Sequence, residues 1–457
     1  MLSDLKNTEL NRFPFFLLFL SMGAALMGGP FMLLILFLVI FLYVFKMVDF
    51  RVLILVFVGM GIIFLWSICY IPLPHVQELL GRVVRSRESY LILNDVKYPD
   101  RDTWREYPFP VKVVGRHGAN FGEYVHVIVR RVENSGFISV VSANRVSSVR
   151  VYLNSIDIVY AWFYRVFERI LGYLHTIFQN DSPVIEGLLL GRYREELRDY
   201  RDVGVGHLFA VSGMHVYFMA VIVMVFVRHI FIKRALRLIV PPLVIWLYVG
   251  VINFPPSAVR AAAMFSVYNF FRLVDRYIHP LNVLGLVGTV NLFLWPHQIR
   301  EPSFQLSYMA TFGILTAGRN LAGRYGRGFL GNLWDTVVYT LSAQVMVLPV
   351  SVMTFRILHP YGWLATILLA HLLPFLLIGG IAVLIASYFE LTPFVDLFKN
   401  GCLVFIKLSN MLVNAMSKLP FSSVRISEPW MFYLFSLLSV FSVVLLISFS
   451  WQEGQRP

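Results

Sequence analysis

The chain has 457 residues, of which 58% are hydrophobic and 14% are charged, and its formal net charge is +13. Together with a mean hydropathy of +0.70, this composition excludes an ordinary soluble domain and predicts a polytopic α-helical membrane protein. Basic loops on the cytoplasmic face make many membrane proteins positive, so the net charge alone does not identify a partner.

Apolar runs dominate both ends of the chain. A membrane span needs roughly 20 residues to cross about 30 Å of hydrocarbon, and runs of that length recur from Phe13 to Ile71 and from Leu208 to Ser450. We expect about ten to twelve spans in all, with three of them in the N-terminal transmembrane helices of residues 1–71. The first run is too long for a cleaved signal peptide, so we expect it to stay attached.

Residues 72–151 have a different composition, in which apolar and polar residues alternate between Gly, Asn, Asp and Pro. This pattern predicts a small antiparallel β domain of five or six strands, inserted after the third span. A compact barrel of the oligonucleotide-binding (OB) type is one candidate.

The same β domain is basic, with twelve Lys and Arg against eight Asp and Glu between Pro72 and Arg150. Basic side chains interleaved with aromatic ones suit a polyanion whose bases can stack. The candidate DNA-binding residues are Arg82, Arg85, Arg87, Arg116, Arg130 and Arg131.

Residues 152–180 follow as an amphipathic segment. Apolar residues from Tyr152 to Phe178 recur at helical spacing, and Arg165, Glu168 and Arg169 occupy the remaining face. This pattern predicts a helix lying in the membrane interface or, alternatively, a helix packed on the bundle.

Four basic clusters indicate the orientation of the chain. If the spans alternate, all four clusters fall on one side of the membrane and the β domain falls on the other. The positive-inside rule then places the N-terminus and these loops in the cytoplasm and the β domain outside the plasma membrane. The topology after Tyr361 stays open. The clusters are Lys46–Arg51, Arg228–Arg237, Arg272–Arg276 and Arg319–Arg327.

Polar residues stand within an apolar context in GHLFAVSGMHVYF. Ser212 and His215, three residues apart, share a helix face, whereas His207 and His215 would lie about 80° apart on an ideal helix and do not favour a shared metal. Gly213 removes a side chain where another backbone or a substrate comes close. Ser212 and His215 either line a pathway or hydrogen-bond to a neighbouring helix as packing groups.

Arg260 lies about one turn into a predicted span, after Pro255 and Pro256. A charge at this position costs several kcal/mol unless it faces water, a carboxylate or an anionic substrate. The alternative is that the side chain snorkels to the outer interface.

Two further apolar segments carry polar residues or proline. Gln305 and Ser307 lie at the head of one predicted span, and Gln344 precedes Pro349 within the next. Kinked helices with polar heads are typical of transport pathways, although bundle packing explains each feature singly.

The sequence predicts no metal site, no cofactor and no enzymatic motif. Cys69 and Cys402 have the apolar surroundings of packing residues, and zinc-hydrolase and P-loop strings do not occur. Besides a path for a nucleic acid, two functions remain open. One is a transporter of another polyanion or polar solute, and the other is an intramembrane hydrolase with Ser212 as nucleophile and His215 as base.

Several motifs, in this order and spacing, resemble the competence domain of the ComEC family, the inner-membrane DNA channel of natural transformation. The resemblance covers nearly the whole chain and assigns residues 181–457 to the channel. It implies a conducting core and names no catalytic residue. The motifs are GLLLGRYREELRDYRDVGVGHLFAVSGMHV, PPSAVRAAAM, PSFQLSYMA and AQVMVLP. The implied core residues are Gly191, His207, Ser212, Gly213, His215, Pro256, Arg260, Gln305, Ser307 and Pro349.

The resemblance also implies a location and partners. In the bacterial plasma membrane, single-stranded DNA would pass inward through the lipid bilayer after an extracytoplasmic receptor delivers duplex DNA. A cytoplasmic helicase-like ATPase would supply force, and either one chain or a homodimer would form the pore. Many relatives continue into a metallo-β-lactamase-like domain, which this sequence lacks before Pro457, so we expect a separate nuclease. Arg192 and Thr366 depart from the family pattern.

Overall fold

The computed structural model describes most of residues 76–426. Gaps fall at 88–89, 101–102, 108–110, 116–123, 136–137, 151–154, 193, 210, 232, 296–297, 300, 319–320 and 324–327, and Leu18, Met22, Val58 and Pro74 are described singly. The N-terminal spans, Arg116 and the segment after Ile426 therefore lie outside the described residues.

Six strands form a single sheet in the β domain. They are β1 (Glu78–Arg87), β2 (Tyr90–Asp100), β3 (Thr103–Tyr107), β4 (Val111–Val114), β5 (Tyr124–Ser135) and β6 (Ile138–Arg150). Their order is β1-β5-β6-β4-β2-β3, and β1 also pairs with β2. This additional pairing returns the sheet to its first strand, while β3 extends β2 as a hairpin. The pairing of β4 with β6 is parallel, and the others are antiparallel.

Alternation along the strands builds the core of this domain. The side chains of Leu79 and Val83 point inward from β1, and those of Val125 and Val127 do so from the adjacent β5; Gly81 of β1 is buried between them. Burying a side chain of this size stabilises a fold by roughly 1.5–3 kcal/mol. The predicted period of two therefore explains both the sheet and its core.

Helices make up most of the remaining described chain. They are α1 (Ser155–Phe178), α2 (Ser182–Leu190), α3 (Arg198–Asp202), α4 (Gly213–Ile230), α5 (Arg234–Val251), α6 (Pro256–Leu273), α7 (Pro280–Leu294), α8 (Pro302–Gly313), α9 (Phe329–Phe355), α10 (Gly362–Ala370), α11 (Leu373–Tyr388) and α12 (Thr392–Ser417). A π-helical turn, Ile314–Gly318, follows α8. Two short strands, β7 (Ile357–Leu358) and β8 (Val424–Arg425), pair with each other.

Three described segments are long and apolar enough to cross a membrane: Gly206–Ile230, which includes α4, Arg234–Val251 and Leu330–Phe355. The pair α10 and α11, bent by 45°, raises this number to four if it acts as one span. A mostly helical chain with such spans and a separate β domain is a membrane protein. The larger predicted number of spans includes segments outside the described residues.

The chain divides into two compact units, and the second holds Phe167–Leu284 with Glu301–Pro457. Its core is formed by apolar side chains from α1, α2, α4, α5, α6, α10, α11 and α12. Every residue of α2 is buried. A Cβ at Gly380 would lie 2.7 Å from a methyl of Leu189, so this glycine lets α11 approach α2 closely.

Helices α4, α5 and α6 form a consecutive antiparallel set. Trp246 Nε1 of α5 donates to Ser266 Oγ of α6 at 3.0 Å. At one end of the set, the Arg234 guanidinium pairs with Asp275 and donates to the carbonyl oxygen of Arg272 at 2.8 Å. Asp275 is exposed, and its pKa is held below the ordinary value by the hydrogen bond and charge of Arg234. Two of the predicted basic clusters thus lie at the same end of this helix set.

Candidate functional site

The segment between α2 and α4 approaches neighbouring chain at glycines. Gly191 caps the C-terminus of α2 in the left-handed conformation, with φ of 71°. A Cβ at this position would also lie 2.8 Å from Val211 Cγ2. Both the backbone and the space therefore require glycine here. Gly191 brings the end of α2 next to the residue that precedes Ser212.

Ser212 is the N-cap of α4 rather than part of the helix. Its Oγ accepts from the Met214 N–H at 3.3 Å and lies 3.0 Å from His215 Nδ1, which also accepts from the Ser212 N–H at 3.2 Å. Because Nδ1 is an acceptor, the proton of the neutral imidazole resides on Nε2. His215 is fully buried, and its Nε2 has no hydrogen-bond partner among the described residues.

His207 is placed differently from the prediction of a continuous helix. It lies in a separate 3-10 turn, Gly206–Leu208, and extended backbone at Ser212 separates that turn from α4. The predicted angle between His207 and His215 on one helix therefore does not apply. The exposed His207 ring instead lies 3.2 Å, through Nδ1, from the carbonyl oxygen of Gly204.

His359 packs against Gly204, two residues before this 3-10 turn. A Cβ at Gly204, which has φ of 91°, would lie 2.6 Å from His359 Cβ. Burial lowers the pKa of His359, and its hydrogen bonds to the backbone of Ser422 and Asp202 partly oppose that shift. Sequence reasoning missed His359, which no apolar pattern or motif distinguishes.

Arg260 is buried, with 6% of its surface exposed. Its Nη1 donates to the carbonyl oxygen of Ser307 and to Oγ1 of Thr311, both in α8. The guanidinium carbon lies 5.7 Å from the ring centre of Tyr308. These contacts hold the side chain inside the bundle, so the alternative of snorkelling to the interface is wrong.

The other side of the guanidinium faces α4. A Cβ at Gly213 would lie 2.9 Å from Nη2 of Arg260, closer than real Cβ contacts. The Nε of Arg260 has no hydrogen-bond partner among the described residues. Among the described residues, no carboxylate forms an ion pair with Arg260. The guanidinium is therefore a desolvated cation with unused donors.

Two helix N-termini meet at this cation. Pro256 occupies the first turn of α6, and Ser257 Oγ donates to the carbonyl oxygen of Val211 at 2.5 Å, immediately before the cap of α4. Each helix N-terminus carries roughly half a positive charge. Together with Arg260, these dipoles make the local electrostatic potential positive.

The remaining predicted core residues lie in α8 and α9. Gln305 and Ser307 belong to α8, and Ser307 contacts Arg260 through its backbone carbonyl. Pro349 lies inside α9. In the same helix, Gln344 Nε2 donates to Thr366 Oγ1 of α10 at 3.5 Å. The structure thus brings Gly191, Ser212, Gly213, His215, Pro256, Arg260 and Ser307 together, whereas the described residues show no polar contact between Pro349 and this group.

A buried carboxylate was missed by sequence reasoning. Glu186 of α2 is fully buried, and its Oε2 lies 2.8 Å from Nη2 of Arg194, while Oε1 lies 3.6 Å from His175 Nδ1. The contact with Arg194 is a close ion pair without the alignment of a regular hydrogen bond. The available signal was one acidic residue in the apolar string SPVIEGLLL.

The candidate DNA-binding residues of the β domain concentrate on two adjacent strands. Arg82, Arg85 and Arg87 are positions of β1, whose side chains at these points are outside the description, and Arg130 and Arg131 are exposed on β5. Arg131 Nε lies 3.2 Å from Glu133 Oε1. No group of three or more His, Cys, Asp or Glu able to hold a metal occurs within the described part of the chain.

Comparison with known proteins points to one family. The family model described as Competence protein matches residues 193–451. ComE operon protein 3 of Bacillus subtilis (strain 168) is 26% identical over 291 residues, which cover 62% of this chain and 36% of that protein. The match thus spans little more than a third of the relative's length. No solved structure matches the chain.

Proposed function

The chain belongs to the ComEC family of competence proteins, and from that premise we propose that it conducts single-stranded DNA across the plasma membrane during natural transformation. The observation that carries the proposal is Arg260. It is a buried cation without a carboxylate partner in the described chain, beside the N-termini of α4 and α6. Keeping such a charge desolvated costs free energy, which a passing anion recovers.

We infer the orientation of the pathway in the membrane from the basic residues. Arg228, Arg234 and Arg272 lie at the ends of α4, α5 and α6 opposite to Gly213. The positive-inside rule assigns that end to the cytoplasm and the Arg260 end to the outer side. A phosphate at Arg260 is then near the entrance, where an attractive site is most useful.

We assign the β domain to the OB type. The closed order β1-β2-β4-β6-β5, with β4 and β6 parallel, supports this assignment. OB barrels bind oligonucleotides by combining a positive groove with stacking surfaces. On this reading, Arg130 and Arg131 of β5 and the arginine positions of β1 contact DNA outside the membrane before it reaches Arg260.

The partners in this scheme are those that the resemblance to the competence family implies. An extracytoplasmic receptor would deliver duplex DNA, a nuclease would remove one strand, and a cytoplasmic helicase-like ATPase would pull the other through the bilayer. The pore is formed by one chain or by two copies.

The test measures entry of labelled DNA into the cytoplasm of a deletion strain complemented with the wild-type chain, Arg260→Ala or Arg228→Ala, at membrane levels matched by blot. We expect deletion and Arg260→Ala to leave DNA bound outside while blocking entry. The exposed Arg228 is the matched control and should support normal entry. Normal entry in the deletion strain would refute the proposal, and normal entry with Arg260→Ala would remove that residue from the path.

A hydrolase is the second candidate, because Ser212 Oγ lies 3.0 Å from His215 Nδ1. However, Ser212 is occupied as a helix cap, and Nε2 of His215 has no orienting carboxylate among the described residues. Ser212→Asn separates the two functions, since Asn also caps helices but is no hydroxyl nucleophile. Channel activity should persist in this variant, whereas a nucleophile's activity would be lost. A transporter of another polyanion would use the same positive site and differs only in cargo.

A further inference from the structure

A groove of about 320 Å³ runs between α4 and α6. Gly213 lies against Ala261 at one end, and Met224 and Arg272 lie at the other, so the two helices run parallel along the groove. The groove therefore extends from the N-terminal ends of both helices, where Arg260 is buried, towards their basic C-terminal ends.

Small and aromatic residues line the groove in alternation. Gly213, Ala220 and Ala261 leave space along its length. Tyr217 and Tyr268 offer ring surfaces from α4 and α6 respectively and are 63% and 44% exposed. Aromatic faces bind nucleobases of every sequence, because each base has a π surface that can stack.

One guanidinium group lines one end of this groove, and another is buried next to its opposite end. At the Gly213 end, Nη2 of Arg260 lies directly behind the absent side chain of the glycine. At the other end, the exposed Arg272 lies over the ring of Tyr268, with the guanidinium carbon 5.9 Å from the ring centre. The twelve helical steps from Arg260 to Arg272 rise about 18 Å along α6. Several phosphates of an extended strand span that distance.

We infer that this groove binds consecutive nucleotides of the translocating strand, with bases stacked on Tyr217 and Tyr268 and phosphates directed towards Arg260 and Arg272. This inference rests on the proposed function and specifies where in the chain the strand runs. Cations at both ends favour a polyanion over a membrane lipid, which has one charged headgroup and needs a cation at one end only. Stacking without base-specific hydrogen bonds also suits a conduit that passes any sequence.

The test places the photoreactive residue p-azidophenylalanine at single positions of the full-length chain during uptake of labelled DNA. Tyr217 and Tyr268 are the groove positions. Phe270 is the matched control, because it is 59% exposed on the same helix as Tyr268 but lies about 200° around it. We expect illumination to trap the labelled strand at positions 217 and 268 and not at position 270.

Three outcomes would overturn the inference. Equal trapping at position 270, or trapping of lipid without DNA at the groove positions, refutes it while leaving the proposed function intact. If DNA enters cells that lack the chain, the proposed function fails and the inference fails with it.

A second pair of variants tests the groove without a photoreactive group. Ala261→Phe fills the groove, and Gly401→Phe adds the same ring in α12, where nothing lies within 4 Å of the added Cβ. Losing one stacked base should reduce DNA entry by about tenfold in Ala261→Phe at matched membrane level. DNA should enter normally in cells with Gly401→Phe. Equal DNA entry with both variants would contradict the assignment.

Discussion

Arg260 and Glu186 are both buried charges in the helical unit, but they have different surroundings. Glu186 is fully buried and has Arg194 at 2.8 Å, whereas Arg260 has neutral acceptors on α8 and no carboxylate among the described residues. A buried charge that has its partner is part of the structure, and its cost is offset within the fold. One without a partner retains binding energy that an external ion can use. We therefore expect Glu186 to have a structural role and Arg260 a functional one.

Arg194→Ala should have the largest effect on stability. It leaves Glu186 buried without its cation, and breaking such a pair costs about 3 to 5 kcal/mol of unfolding free energy. Thermal unfolding in detergent, with membrane level by blot, measures the loss. Arg198→Ala is the control, because its pairing with Asp202 at 3.6 Å is exposed and contributes about 0.3 to 0.5 kcal/mol at most. Equal effects of both substitutions would show that Glu186 does not depend on Arg194.

Gly213→Ala tests the opposite side of the comparison. The new methyl would lie 2.9 Å from Nη2 of Arg260, so the guanidinium or α4 must shift, at a cost of about 1 to 3 kcal/mol. We expect DNA entry to fall further than membrane level does, because the shift also closes the approach to the cation. In Gly401→Ala nothing lies within 4 Å of the methyl, and replacing a helical glycine there should stabilise the chain by up to about 1 kcal/mol. If DNA enters cells with Gly213→Ala as well as it enters cells with Gly401→Ala, the DNA does not reach Arg260 across Gly213.

Thr311→Val addresses how Arg260 is held. The substitution keeps the shape of the side chain but removes the Oγ1 acceptor, leaving the carbonyl oxygen of Ser307 as the acceptor for Nη1. We expect the free energy of unfolding to fall by about 1 kcal/mol. DNA entry should also fall, because the guanidinium is less well oriented. Thr336→Val is the matched control, since that exposed Oγ1 contacts only the backbone carbonyl of Asn332 in its own helix. Identical behaviour of the two variants would mean that Thr311 does not position Arg260.

Local patterns made part of this fold predictable. Period-two alternation between residues 72 and 151 predicts the strands, and the apolar stripe from Tyr152 predicts α1, which begins at Ser155. The order of the strands and their parallel pair depend on contacts between distant segments, which no local pattern contains. The total number of spans stays a prediction for the segments outside the described residues.

The sequence predicts some of the residues that belong to the candidate site, but not the contacts between them. A cation near the start of an apolar helix is conspicuous in sequence, so Arg260 could be selected, and Gly213 and Ser212 with it. Its neighbours Thr311 and Ser257 could not, because common polar residues acquire importance only when helices distant in sequence pack together. Glu186 was equally conspicuous, but its pairing with Arg194 depends on how the chain turns at Gly191. Burial and pairing are thus tertiary properties.

His359 is a third partly buried group, and its charge depends on pH. Protonation would turn its neutral, half-buried ring into a cation. Burial lowers its pKa below the ordinary value of 6.5, and Asp202 and His207 are its titratable neighbours. Below pH 6.5 the unfolded chain binds this proton more readily than the folded chain does, so stability falls as pH decreases towards the folded-state pKa.

The loss from His359 is at most about 1.4 kcal/mol per pH unit, and the remaining charge of Asp202 makes it smaller. Between pH 7 and pH 5, we expect the midpoint temperature of unfolding to fall less for His359→Gln than for the wild-type chain. The Gln side chain fills about the same volume against Gly204 but does not titrate. Parallel pH profiles for the two chains would show that the pKa of His359 is the same in the folded and the unfolded chain. In that case its contacts with Asp202 and the backbone fully offset burial, and His359 makes no pH-dependent contribution to stability.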